Sequence, residues 1–253
     1  MSSPASELTA VSERSRALLV FAILATVVLY IVPYGHTIGY PLVLLSTYAH
    51  EMGHGLAAII VGGRFESFRM YMDGSGVAQS MGHFGRFDSA FISAGGLVGP
   101  AILGGIFFRF SARPKAARFG LFCFGLAMLI SCVWVVRGWF GWFFVGSVGM
   151  FNLLVALHSA PLVSQAFVAF LGTQLALSVF SRGDYLFTDV AVTGNGSSTS
   201  PSDVAHMAEA LFLPYWFWGA LCGLFSVMVL IVGFASFWRA TEPPEAAKEL
   251  FAP

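Results

Sequence analysis

The sequence predicts an all-α polytopic membrane protein of six or seven transmembrane helices, with a small β-hairpin following the second of them. Three observations carry this reading. Hydrophobic residues make up 57% of the 253 and charged residues only 10%, with a mean hydropathy of +0.78, far more apolar surface than a water-soluble domain of this length is able to cover. The apolar residues fall in runs of bilayer-spanning length, joined by short polar connections. One stretch breaks that pattern by alternating polar with apolar or aromatic residues, the period of a strand.

Taken in order, residues 1–16 (MSSPASELTAVSERSR) are polar and serine-rich and are expected as a disordered N-terminal tail. A membrane domain is expected over 17–238. Its first span, Ala17 to Pro33, is too long for a signal-peptide core and lacks a small-residue cleavage site, so it is read as retained. The second runs from Ile38 to Gly62. Residues 62–86 then alternate about Asp73-Gly74, a pair suited to a tight turn, which gives a hairpin over 63–82. Further apolar runs cover Phe87–Phe108, Phe119–Val136, Trp139–His158, Pro161–Phe180 and Leu211–Phe237. The count is seven if residues 139–180 cross twice and six if they include a re-entrant piece. A polar loop spans 181–203, with GNGSSTSPSD near its end, and Ser202-Asp203 reads as the cap of a short helix beginning near Val204. Residues 239–253 form an exposed C-terminal tail.

Several classes of partner and chemistry are excluded. Thirteen basic and thirteen acidic residues give no clustered positive field, so nucleic acid is not a partner. Cys123, Cys132 and Cys222 all lie in apolar runs without a CxxC spacing, which removes both a disulfide framework and a thiolate zinc site. Arginine and lysine fall in nearly equal numbers on the two sides of the predicted spans, so charge sets no orientation. Nothing in the sequence encodes an oligomeric state.

The polar chemistry is concentrated in one place. Apart from Asp88 at an interfacial end, Glu51 is the only acidic residue within the predicted spans, and it stands in the motif HEMGH between His50 and His54. On a helix the two histidines are one turn apart on the same face, so both imidazoles reach one metal ion while Glu51 stands beside it. One zinc ion fits best, because two neutral imidazoles and a third ligand leave a tetrahedral position for water, with Glu51 as general base. The competing reading is a chance HExxH on a solvated helix face. Inside an apolar span it is much weaker, since each buried polar side chain without a metal would cost several kcal/mol.

HEMGHGLAAIIVGGRF at 50–65 resembles the active-site helix of the site-2-protease class of intramembrane zinc metallopeptidases. Three further stretches are similar to its peptidase M50B-like branch: GSGVAQS at 74–80, AGGLVGPAILGG at 94–105 and SDVAHMAEALFLP at 202–214. The resemblance covers roughly residues 38–235. It implies a zinc-dependent metalloendopeptidase that acts on membrane-embedded or membrane-proximal protein substrates, resident as a multi-pass protein in the bacterial inner (cytoplasmic) membrane.

The resemblance departs from the pattern at one point. Better-known members of the class take their third metal ligand from an Asp in an Asn-Leu-Leu-Pro…Leu-Asp-Gly segment, whereas FNLLVALHSAPLV at 151–163 begins similarly at Asn152 and lacks the Asp. Asp203 is the first choice, because it matches the branch's Ser-Asp position at a helix start, where a plain N-cap is the competing role. His158 and Asp184 are the alternatives. His36, His83, Asp189 and His206 read as ordinary loop or interface residues. By analogy with the class, Asn152 steadies the substrate or its oxyanion, against a role in helix packing. Gly76 and Val77, in the hairpin, are expected to hold an extended substrate segment by strand addition. The missing Leu-Asp-Gly also leaves open a second function class, a catalytically inactive homologue acting as a membrane-protein binding or chaperone-like partner. A transporter would need polar residues in several other spans, where they are scarce.

Overall fold

The computed structural model of the protein describes residues 4–181 and 184–242. Helices α1 (Pro4–Ile31) and α2 (Gly35–Ile60) come first. After a hairpin, the chain continues through α3 (Arg86–Ser111), α4 (Pro114–Trp134), α5 (Trp139–His158) and α6 (Pro161–Ser181), and it ends in α9 (Tyr215–Ala240). Among the described residues, α3, α4, α5, α6 and α9 are long and apolar enough to cross a membrane, five helices against the six or seven expected. The polar HEMGH motif interrupts the apolar run of α2, whereas α1 carries a long apolar run over residues 17–31. Residues 139–180 form two helices, α5 and α6, each of spanning length.

The alternating stretch forms β1 (Arg64–Met70) and β2 (Gly76–Met81), paired antiparallel, with β3 (Val136–Arg137) parallel to β1 on its other side. The order β2-β1-β3 leaves β2 as an edge strand. Alternation in β1, reset by a bulge between Phe65 and Ser67, buries Phe65, Phe68 and Met70 in the core shared with α2, α4 and α5. The turn is held by Asp73, whose Oδ1 accepts from the Ser75 N–H at 2.9 Å and its hydroxyl at 2.6 Å, with Gly74 at φ 87°.

Helix α3 is central because its glycines admit neighbouring backbones. A Cβ on Gly53 of α2 would lie 2.2 Å from the Gly95 carbonyl oxygen, and one on Gly233 of α9 would lie 2.5 Å from the Gly105 Cα. Small residues thus let α2, α3 and α9 pack at backbone distance.

Two sequence expectations need correction. Residues 1–16 do not form a disordered tail over their described part, since α1 starts at Pro4. Two of its serines have buried partners: Ser12 donates to the Thr241 carbonyl, and Ser15 donates to the Ala112 carbonyl at 3.0 Å while accepting from Gln165 Nε2 at 2.7 Å. Nor are residues 181–203 a plain polar loop. They contain α7 (Asp184–Phe187) and a second hairpin, β4 (Val190–Thr193) with β5 (Ser198–Pro201), before α8 (Asp203–Leu211). The apolar run from Leu211 also breaks, at Phe212 in the left-handed region (φ 67°) and at Pro214, so α9 begins at Tyr215. Of the expected tail, residues 239–242 end α9 and its turn, and 243–253 lie outside the described residues.

Candidate metal centre

The spacing of HEMGH places His50 and His54 on one face of α2, with Glu51 at its flank. The third group arrives from far along the chain. Ser202 is the N-cap of α8, its Oγ accepting from the Ala205 N–H at 3.2 Å and donating to the Thr188 carbonyl at 2.6 Å. That cap fixes Asp203 as the first helical residue and lays its carboxylate over both imidazoles.

The distances fit a metal. Asp203 Oδ2 lies 3.1 Å from His50 Nε2 and 3.3 Å from His54 Nε2, and the two Nε2 atoms are 3.1 Å apart. Ligands about 2.0–2.1 Å from a tetrahedral zinc are separated by roughly 3.3–3.4 Å, so these three atoms already stand near the edges of such a tetrahedron. The donor set, two imidazoles and one carboxylate oxygen, is also one that zinc accepts.

The surroundings orient these groups. The His54 Nδ1 lies 2.8 Å from the Ile92 carbonyl oxygen, an acceptor, so Nδ1 carries the proton and the Nε2 lone pair faces the centre. Gly96 supplies the space for the ring: a Cβ there would lie 2.2 Å from His54 Nε2. Glu51 is buried, and it lines one cavity with Ala78 of β2. Gly76 packs tightly against Glu51, since a Cβ at that residue would lie 2.8 Å from Glu51 Cγ and 2.7 Å from Thr47 Cγ2.

These groups open into a cavity of about 800 Å³. One wall is β2, with Gly76, Val77, Ala78 and Ser80, and the facing wall includes Ala191, Thr193 and Ser200 of the second hairpin. The two hairpins meet at their turns, where the Asp73 N–H donates to Asn195 Oδ1 at 3.2 Å and the Gly194 N–H to Ser75 Oγ at 3.2 Å.

The remaining sequence candidates are placed as follows. Asn152 does not line the cavity. It is fully buried between α4 and α5, where its Nδ2 donates to the Val148 carbonyl at 2.8 Å, which corresponds to the helix-packing role. His158 is exposed at the end of α5, apart from the His50–His54–Asp203 group. The side chains of Asp184 and His36 lie outside the described residues. His83 and Asp189 are exposed, and His206 lines the cavity. Sequence reasoning missed Ile92 and Gly96 as supports of His54. The small-residue run 94–105 was a signal, but it did not mark which glycine faces the imidazole.

The model of a family described as Peptidase M50B-like matches residues 19–233. No significant match to the chain was found among curated proteins or solved structures.

Proposed function

The chain belongs to the Peptidase M50B-like family, and from that premise we propose that it is an intramembrane zinc metalloprotease acting on membrane-embedded or membrane-proximal proteins. The observation that carries this reading is the convergence of His50, His54 and Asp203 within 4.8 Å of one another, with Glu51 beside them. These three residues would hold one zinc ion. When bound, zinc supplies Lewis acidity and makes water acidic enough to give up a proton near neutral pH.

The chain's own residues do the rest. Glu51 accepts the proton from water and returns it to the departing amine of the cleaved peptide bond. The close packing of Gly76 against Glu51 positions the carboxylate for both transfers. A transmembrane substrate must be unwound locally before its carbonyl is accessible, and the free edge of β2 offers backbone groups to an extended segment at Gly76 and Val77. Proteolysis within the bilayer also needs water, which the cavity and its hydroxyl-bearing walls admit. In this reading α1 and α2 cross the membrane along with the five apolar helices, in the bacterial inner (cytoplasmic) membrane.

The test uses the purified full chain in detergent or nanodiscs. It is expected to carry one zinc and to cleave a transmembrane peptide, and Glu51→Gln is expected to keep the zinc and lose cleavage. A folded protein that neither contains nor takes up zinc would sink the proposal. The competing function class, an inactive binding partner, rested on the missing Leu-Asp-Gly. Asp203, lying against both imidazoles, leaves that class without its supporting observation.

A further inference from the structure

Among the described residues, Arg86 is the only arginine or lysine lining the cavity that holds Glu51, His54 and Asp203. Its guanidinium is held in place twice, lying 3.7 Å from the centroid of the Phe212 ring and donating one Nη2–H to the Glu209 carbonyl at 3.4 Å. No carboxylate of the described residues forms an ion pair with it, the nearby Glu209 side chain included. A guanidinium carries five N–H donors in a planar fork, so this exposed residue of the cavity lining keeps a positioned and largely unspent set of donors.

Three walls of the cavity run between the metal ligands and this cation. On α3 the lining residues Arg86, Ser89 and Ser93 follow one face down to Gly96, against which His54 lies, an axial length of about 15 Å. On α8 the wall runs from Asp203 past His206 to Glu209, whose carbonyl binds Arg86, a length of about 9 Å. On β2 it runs from Gly76 beside Glu51 to Ser80, about 13 Å, and Phe84 and Gly85 continue it to Arg86. A peptide extended along β2 covers such a distance with about three to five residues.

We infer that Arg86 is a specificity-determining residue that binds a carboxylate of the substrate, from an Asp or Glu side chain or the chain terminus, about three to five residues to one side of the scissile bond. The inference rests on the proteolytic reading and deepens it by naming a substrate class. A peptide is favoured over a lipid headgroup because the cation shares all three walls with Glu51 and the ligands.

The experiment incubates the zinc-loaded full chain in nanodiscs of uncharged phospholipid with a synthetic mixture of 14-residue peptides, and mass spectrometry locates each cut. The expected result is a two- to fivefold enrichment of Asp, Glu or the C-terminal carboxylate at one fixed distance on one side of the cut, roughly the strength of an exposed ion pair. Arg86→Glu is expected to reverse the enrichment to Lys and Arg at that position, and Arg86→Lys to keep its sign. Peptides with an internal acid and peptides with only a terminal one separate the two carboxylate sources. The zinc content of each variant reports whether its site is intact. Glu51-dependent cleavage with no acidic preference, or with a preference unchanged in Arg86→Glu, overturns the assignment and spares the protease reading. Absence of any Glu51-dependent cleavage overturns both. The assay is repeated in nanodiscs that include an anionic phospholipid, and an Arg86→Glu effect seen only there assigns the cation to headgroups and overturns the assignment as well.

Discussion

The ring of His54 occupies the space that a side chain on Gly96 would fill, the imidazole Nε2 lying 2.2 Å from where a Cβ would stand. Because Ile92 anchors the other ring nitrogen, the imidazole has no free direction in which to retreat. Gly96→Ala is therefore expected to weaken zinc binding by about 10- to 100-fold, the usual range for disturbing a residue that supports a ligand. Metal retained after dialysis against graded chelator measures this, with the circular dichroism spectrum as a check on the fold. Wild-type retention would show that the ring is not a ligand.

Gly76 is expected to behave differently. An alanine methyl there meets Glu51 Cγ and Oε1 and Thr47 Cγ2, but none of the three candidate ligands. Gly76→Ala should thus lower kcat at least tenfold, through a displaced general base, while zinc stoichiometry stays at the wild-type value. Parallel metal and turnover assays check the split, and a variant that lost zinc and turnover together would refute it.

The ligand set predicts a pattern of metal loss. Asp203→Ala is expected to lose zinc as fully as His54→Ala, whereas His158→Ala, altering an exposed residue at the end of α5, is expected to keep it. Elemental analysis of the three purified variants decides. Retained zinc in the Asp203 variant would move the third ligand elsewhere, with Asp184 then first in line.

Ser202 is expected to matter through its neighbour. Its hydroxyl caps α8 and ties that helix to the Thr188 carbonyl, so Ser202→Ala removes a cap worth about 1 kcal/mol and loosens the residue before Asp203. Zinc affinity is expected to fall about fivefold, with Ser202→Thr restoring most of it. Competition with a fluorescent chelator reads the change, and an unchanged affinity in the alanine variant would count against the role.

Much of the site was legible because short-range rules place it. The one-turn spacing of His50 and His54, the turn at Asp73-Gly74 and the cap at Ser202 each act within a few residues. What escaped depends on pairings across the fold. Ser12 and Ser15 look like tail residues until Thr241, Ala112 and Gln165 meet them. The β4 and β5 strands are mostly exposed on both faces, so no buried alternation marks them in the sequence. For Asn152 the sequence leaves a substrate role and helix packing both open, and its phase on α5 turns it to Met128 of α4 and not to the cavity. Which glycine of the 94–105 run faces His54 is set by the phase between two helices, and no local pattern records that.

The donor atoms that meet at the centre are drawn from opposite ends of the chain, two from α2 and the last from the start of α8. During synthesis, then, a growing polypeptide already displays both imidazoles and the carboxylate of Glu51 long before Asp203 leaves the ribosome. If Asp203 is the final ligand of a hydrolase, as proposed, the half-built molecule would lack it until α8 docks, and the membrane would be spared an active enzyme that has not finished folding.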